Sequence, residues 1–137
     1  MKGKIQHINP EGMVKSPAFS QAVTTLGPGK TIYIGGQNAV DATGKVVGRG
    51  NLREQTVQVM KNIETALIEC GATFSNVVKL NIFLIQGQDA VSGFQAALPF
   101  IAKASNPPAI TALFVAALGN SEYLVEIDAT AFVPDKH

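Results

Sequence analysis

Apolar and polar positions alternate in some stretches of the chain and recur at helical spacing in others. Residues 5–8 form a short strand candidate, closed by the turn-forming run Asn9-Pro10-Glu11-Gly12. Residues 21–26 and 31–35 are β-branched and apolar runs on either side of Gly27-Pro28-Gly29. That spacing predicts a β-hairpin. A further turn, Asp41-Ala42-Thr43-Gly44, precedes a short edge-strand candidate at residues 45–47.

From residue 51 to residue 70 the period becomes helical: Leu52, Thr56, Val59, Met60, Ile63, Leu67 and Cys70 fall on one stripe. Asn51 can cap this helix with Glu54 three residues on, a capping-box arrangement, and Gly71 supplies a left-handed stop. Residues 77–85 read as a strand. Asp89 opens a second helical pattern with Val91, Phe94, Leu98 and Ile101 inward, and Pro99 predicts a kink, or a break that restarts there. After Asn106-Pro107-Pro108 come two last strands, 109–116 and 123–133, joined across Gly119-Asn120.

The order β–β–β–α–β–α–β–β predicts an α+β fold: one mixed sheet with both helices on one face, in a single domain over residues 1–137. The strand at 109–116 is apolar on both faces, with Ile110, Ala112, Phe114 and Ala116 on one and Ala109, Thr111, Leu113 and Val115 on the other. A sheet covered on one side would leave one of those faces wet, so the pattern predicts self-association across the second face.

Composition narrows the function classes. Of 137 residues, 46% are apolar and 15% charged, which excludes disorder. Eleven Lys and Arg against ten Asp and Glu leave a formal charge of +1, and the cations are scattered, so nucleic acid is disfavoured as a partner. No apolar run is long enough to span a membrane, and the polar start has no signal-peptide core. A single cysteine, Cys70, fits a reducing compartment and excludes an internal disulfide framework. These features predict a cytoplasmic protein without a membrane partner. Two histidines at opposite ends, His7 and His137, with one thiol make no metal site, and no cofactor is expected.

Candidate chemistry is sparse. Cys70 lies on the apolar stripe and reads as a buried structural thiol. No histidine falls in the body of the fold to activate it, Ser20 or Thr111, so covalent catalysis has no candidate. Lys79 reads as a solvated edge charge. Gly35-Gly36, two glycines within a strand, mark a bulge or a close backbone approach. They are not a phosphate loop, since no Lys-Ser or Lys-Thr helix start follows.

The segments SPAFSQAV, TIYIGGQ, VVGRGNLREQTVQVMKNIETALIECGATFSNVVKLNIFL, PPAITALFVAAL and LVEIDATAFV together resemble the Rid/YjgF family, the RidA-like reactive intermediate deaminases also called endoribonuclease L-PSP. The likeness runs from about Ser16 to Val133. It implies a chorismate-mutase-like fold assembled as a homotrimer, with a small-molecule cleft at each subunit interface. Best-known members hydrolyse reactive enamines and imines, such as 2-aminoacrylate, to a keto acid and ammonia. Others are described as binding proteins, translation inhibitors or endoribonucleases.

The pocket motifs are altered residue by residue. Where deaminating members carry a Pro-Ala-Arg-Ser-like segment, this chain has Pro108-Ala109-Ile110-Thr111, so Ile110 replaces the arginine that would grip a carboxylate. Ala112 stands at the family cysteine, Phe114 at a frequent glutamate, Phe19 at the tyrosine of the GPYSQ-like turn, Gly35 at a serine and Gly93 at the helix asparagine. Val125-Glu126-Ile127 keeps the family acid, so Glu126 matches the glutamate that orients water. By this resemblance the chain falls in an arginine-lacking subgroup. Glu126 is the catalytic candidate, and Phe19, Gly35, Gly36, Ile110, Ala112 and Phe114 line the cleft, with the Gly36 N–H facing the ligand. Two readings remain open: an imine or enamine hydrolase of altered specificity, and a non-catalytic metabolite-binding or regulatory module. An endoribonuclease or translation inhibitor is disfavoured by the charge.

Overall fold

The computed structural model describes residues 2–136. Along the chain run β1 (Lys4–Ile8), β2 (Ala22–Leu26), β3 (Gly29–Gln37), α1 (Leu52–Glu69), a 3₁₀ turn (Phe74–Asn76), β4 (Val77–Ile85), α2 (Ala90–Ile101), β5 (Ala109–Val115) and β6 (Val125–Pro134). The architecture is α+β. A mixed four-stranded sheet has the order β3-β6-β4-β5, with β4 and β5 parallel and the other pairs antiparallel.

The predicted hairpin of residues 21–26 with 31–35 does not form. β2 pairs with β1 in a separate antiparallel ladder, and β3 pairs with β6. Gly27, at φ +76°, turns the chain between two ladders instead of folding it back on one; Asp135 then accepts from Gly3 N–H and donates to Pro28 O. Burial explains this choice. Ile32 and Ile34 of β3 reach the core only from beside β6, whereas β2 remains largely exposed. Residues 45–47 likewise form no strand, making only a bridge of Val46 to Val40.

α1 follows its apolar stripe closely. Asn51 caps it by accepting from Glu54 N–H. Gly71 at φ +78° closes it, with Gly71 N–H bonded to Ile68 O and Ala72 N–H to Leu67 O, a Schellman arrangement. One buried member is polar. Gln55 is fully buried because its amide donates to Gly48 O and Glu122 O while its Oε1 accepts from Leu124 N–H, tying the loop before β6 to the helix.

α2 keeps Ile101 and Phe94 of its predicted face against the core and departs from it elsewhere. Val91 and Leu98 are exposed, and the buried face is Gly93, Ala96, Ala97 and Ile101. Small residues let α2 lie close against α1: a β-carbon on Gly93 would sit 3.2 Å from Leu52 Cδ2. Nor does Pro99 split the helix. It falls in the last turn, two residues before the end at Ile101, where a missing N–H removes a single bond and few turns remain to disrupt.

Both helices cover one sheet face. Leu80, Ile82 and Leu84 of β4 stand beside Ala129, Ile127 and Val125 of β6, all buried beneath the helices. The opposite face carries Asn81 and Phe83 of β4, Glu126 and Asp128 of β6, and Tyr33 of β3, which is 81% exposed.

Candidate functional site

Strand register sorts the predicted site residues onto two faces. Glu126 stands opposite Phe83 in the β4–β6 ladder and therefore points to the open face, away from the helices. In the parallel β4–β5 ladder, Ile110, Ala112 and Phe114 stand beside Leu80, Ile82 and Leu84, on the helix-facing side. Thr111 and Leu113, next to Asn81 and Phe83, share the open face with Glu126. One chain thus separates the acid from Ile110, Ala112 and Phe114 by the thickness of the sheet and by an intervening strand.

Gly36 and Glu126, by contrast, come together. The β3–β6 register shifts between Ile34 and Gln37, which places Gly35-Gly36 in a bulge as the paired glycines predict. The Glu126 side chain lies over Gly36: a β-carbon there would sit 2.8 Å from Glu126 Cδ and closer still to Oε2. Any larger residue would push the carboxylate off this position. Gly35 has no heavy atom within 4 Å of where its β-carbon would be, and faces open space. Among the described residues Glu126 forms no ion pair. Its neighbours on the open face bond to one another instead. Asn81 Nδ2 donates to Asp128 Oδ1 at 2.8 Å, and Lys79 Nζ donates to Thr111 Oγ1 at 2.6 Å, so Lys79 is a bonded residue of the face and not a free edge charge.

Phe19 is half-buried immediately before Ser20, which makes a parallel bridge to Ala109 at the start of β5. Ser20 is 2% exposed. Its hydroxyl donates to Pro107 O at 2.5 Å, its N–H donates to Pro108 O, and His7 Nδ1 lies 3.0 Å from its Oγ. A histidine does therefore reach Ser20, contrary to the sequence expectation; β1 carries it there across 13 residues, a proximity that no local motif announces. The Ser20 proton is committed to Pro107 O, which leaves the hydroxyl as a clamp between β1, the Phe19 turn and β5 and not as a nucleophile. His137 lies outside the described residues.

Beneath α2, on the helix-facing side of β5, lies a cavity of about 150 Å³ lined by Ile82, Leu84, Phe94, Ala97, Ala112 and Ile127 among others. Nothing in the one-dimensional pattern signals it, because it arises from alanines and a glycine on facing elements. Among the described residues no three His, Cys, Asp or Glu side chains gather as metal ligands. None of the helices described is long and apolar enough to cross a membrane.

Comparison with known proteins places this geometry. The sequence profile of the family described as endoribonuclease L-PSP matches residues 13–133. A RutC family protein of Pyrococcus abyssi is 31% identical over 115 residues, covering 83% of this chain and 85% of that one. The human 2-iminobutanoate/2-iminopropanoate deaminase is 34% identical over 113 residues, covering 82% and 78%. Among solved structures, YyfB of Yersinia pestis, a Rid-family protein of unknown function, superposes with a TM-score of 0.83 at 36% identity, over 93% of this chain and 97% of that one. With a profile match over nearly the whole length, close relatives in sequence and the same α+β fold, the chain belongs to the Rid/YjgF (endoribonuclease L-PSP) family.

Proposed function

We propose that the whole chain, residues 1–137, acts as one Rid-like domain in a cytoplasmic homotrimer, and that it hydrolyses imines or enamines without a free carboxylate in a cleft shared between subunits. The observation that carries this reading is the seat of Glu126 over Gly36 on the open sheet face, with Ile110, Ala112 and Phe114 on the opposite face. Residues on two faces of one sheet cannot enclose a ligand within one chain. Packing the open face of one subunit against the β5 edge of the next brings both sets to a common cleft, closed at its rim by Phe19. The exposed side chains of Tyr33, Leu113 and Phe114 supply apolar area for that contact.

The chemistry asked of Glu126 is modest. Its carboxylate takes a proton from water as the oxygen adds to the imine carbon, and passes that proton to nitrogen to give a carbinolamine. It then takes the hydroxyl proton as the C–N bond breaks, and delivers it to the departing ammonia. One water enters, and one carbonyl compound and one ammonia leave. Gly36, with its N–H toward the ligand, and Gly35 leave room for substrate beside the carboxylate. General-base help of this kind contributes on the order of 10²–10⁴ in rate. Ile110 sets the substrate charge, since an aliphatic side chain gives a carboxylate no partner and Glu126 repels one.

The absence of a cation at Ile110 also favours a second reading, a cleft that binds a neutral metabolite without turning it over. Ammonia release separates the two. Imines generated in place by amino-acid and amine oxidases, from small anionic to bulky neutral ones, are presented to the protein and to Glu126→Gln. Turnover of neutral imines that is lost in Glu126→Gln supports the hydrolase. Silence across the panel from a folded oligomer supports the binding module.

A further inference from the structure

The cavity beneath α2 is a built apolar chamber with no role in holding water. Its floor is Ile82 and Ile127 of the sheet, its roof Phe94 and Ala97 of α2, and its one polar side chain, Thr56, already donates to Leu52 O at 2.8 Å. A water inside would find only the Thr56 oxygen as an acceptor, fewer than the two to four polar partners that hold a buried water, so the chamber favours an apolar guest. It borders Ala112, which is exposed, and therefore reaches the surface at the edge of β5. That is the edge which carries Ile110 and Phe114.

We infer that this chamber is the side-chain subsite of the cleft and takes a compact apolar group of about benzene size, the class of guest that an apolar cavity of about 150 Å³ admits. The inference rests on the shared-cleft reading for its placement beside the neighbouring subunit's acid, but the chamber itself belongs to one chain. The substrate class follows: a neutral imine with a phenyl or branched alkyl substituent, its side chain under α2 and its C=N outside the mouth. Ala112 sets the size limit, because its methyl stands where a larger side chain would close the chamber.

Benzene titrated into the intact protein tests this directly, followed by the methyl resonances of Ile82 and Ile127 and by the melting temperature. Saturable shifts confined to those methyls, with affinity weakened about tenfold or more in Ala112→Leu, are expected. Absence of a saturable shift in the unaltered protein, or equal affinity in Ala112→Leu, overturns the inference. A second arm measures the ratio of kcat/KM for a phenyl-bearing over a methyl-bearing imine. A ratio that falls about tenfold in Ala112→Leu supports the subsite, and an unchanged ratio overturns it. If benzene binds as described and no imine is turned over, the chamber stands and the hydrolase reading falls.

Discussion

Replacing Gly36 by alanine separates catalysis from folding. Gly36 is not among the glycines with positive φ, so alanine accepts its backbone without strain. Loss of a glycine from a strand favours folding by roughly 0.5–1 kcal/mol. The new methyl would overlap the Glu126 side chain, at 2.8 Å from Cδ and 3.1 Å from Cγ, so the carboxylate must swing away on its own flexible bonds. A displaced rotamer costs about 0.5–1.5 kcal/mol. These terms nearly cancel, leaving net stability within about 1 kcal/mol of the parent and a melting temperature moved by a few degrees at most. Activity has no such compensation: loss of the positioned base lowers kcat by about 10²–10⁴. The assay couples ammonia release from a neutral imine to an NADH-dependent dehydrogenase, beside a thermal melt of the same sample. Gly119→Ala, whose β-carbon meets no heavy atom within 4 Å, is the comparison. A Gly36→Ala protein that melts normally and keeps full turnover refutes the role given to the carboxylate. One that fails to fold refutes the claim that the glycine serves the site alone.

Further outcomes follow from individual side chains. Ile110→Arg places a cation at the start of β5 and should raise kcat/KM for a carboxylate-bearing imine about tenfold or more, with no gain on neutral imines. Ser20→Ala leaves Pro107 O and His7 without their buried partner, so a denaturant titration should show a loss of about 1–3 kcal/mol. Asp41 is held below its usual carboxyl value of 3.8 by the Thr43 hydroxyl first, and then by the N–H groups of Lys45 and Thr43. A depressed pKa means that its support of the turn is complete above 3.8 and lost as pH falls through the lowered value. Amide resonances of Thr43 and Lys45 should therefore move only in that acid range, while far-ultraviolet circular dichroism stays constant.

How much of this was legible in the sequence depends on whether a signal is local. α1 could be read almost to the residue, since its cap, stripe and glycine stop are neighbours along the chain. β4 could be read outright from residues 77–85. The ladder of β1 with β2, the wedging of β4 between β5 and β6, and the burial of Gln55 were not, because each depends on partners far along the chain. α2 misled for a physical reason. Its apolar spacing placed Val91 and Leu98 inward with Phe94 and Ile101, whereas close helix packing buried the small Gly93 and Ala97 beside Ile101 and left Val91 and Leu98 exposed. At the site, the pairing of a bulge with Gly35-Gly36 was foreseeable, and its purpose of making room for Glu126 was not. The opposite facing of Glu126 and Ile110 also needed the register, because alternation assigns faces within a strand but does not relate one strand to another.

In the proposed trimer, Glu126 of one subunit serves a cleft whose apolar wall belongs to the next. Subunit mixing tests this arrangement. Glu126→Gln removes the acid, Ala112→Trp blocks the wall, and each variant alone is expected to be inactive. Co-assembled in equal amounts at random, they should regain about a quarter of the parent activity, because that share of interfaces joins one intact half to the other. A mixture no more active than either variant alone contradicts the shared cleft and places the whole site within a single chain.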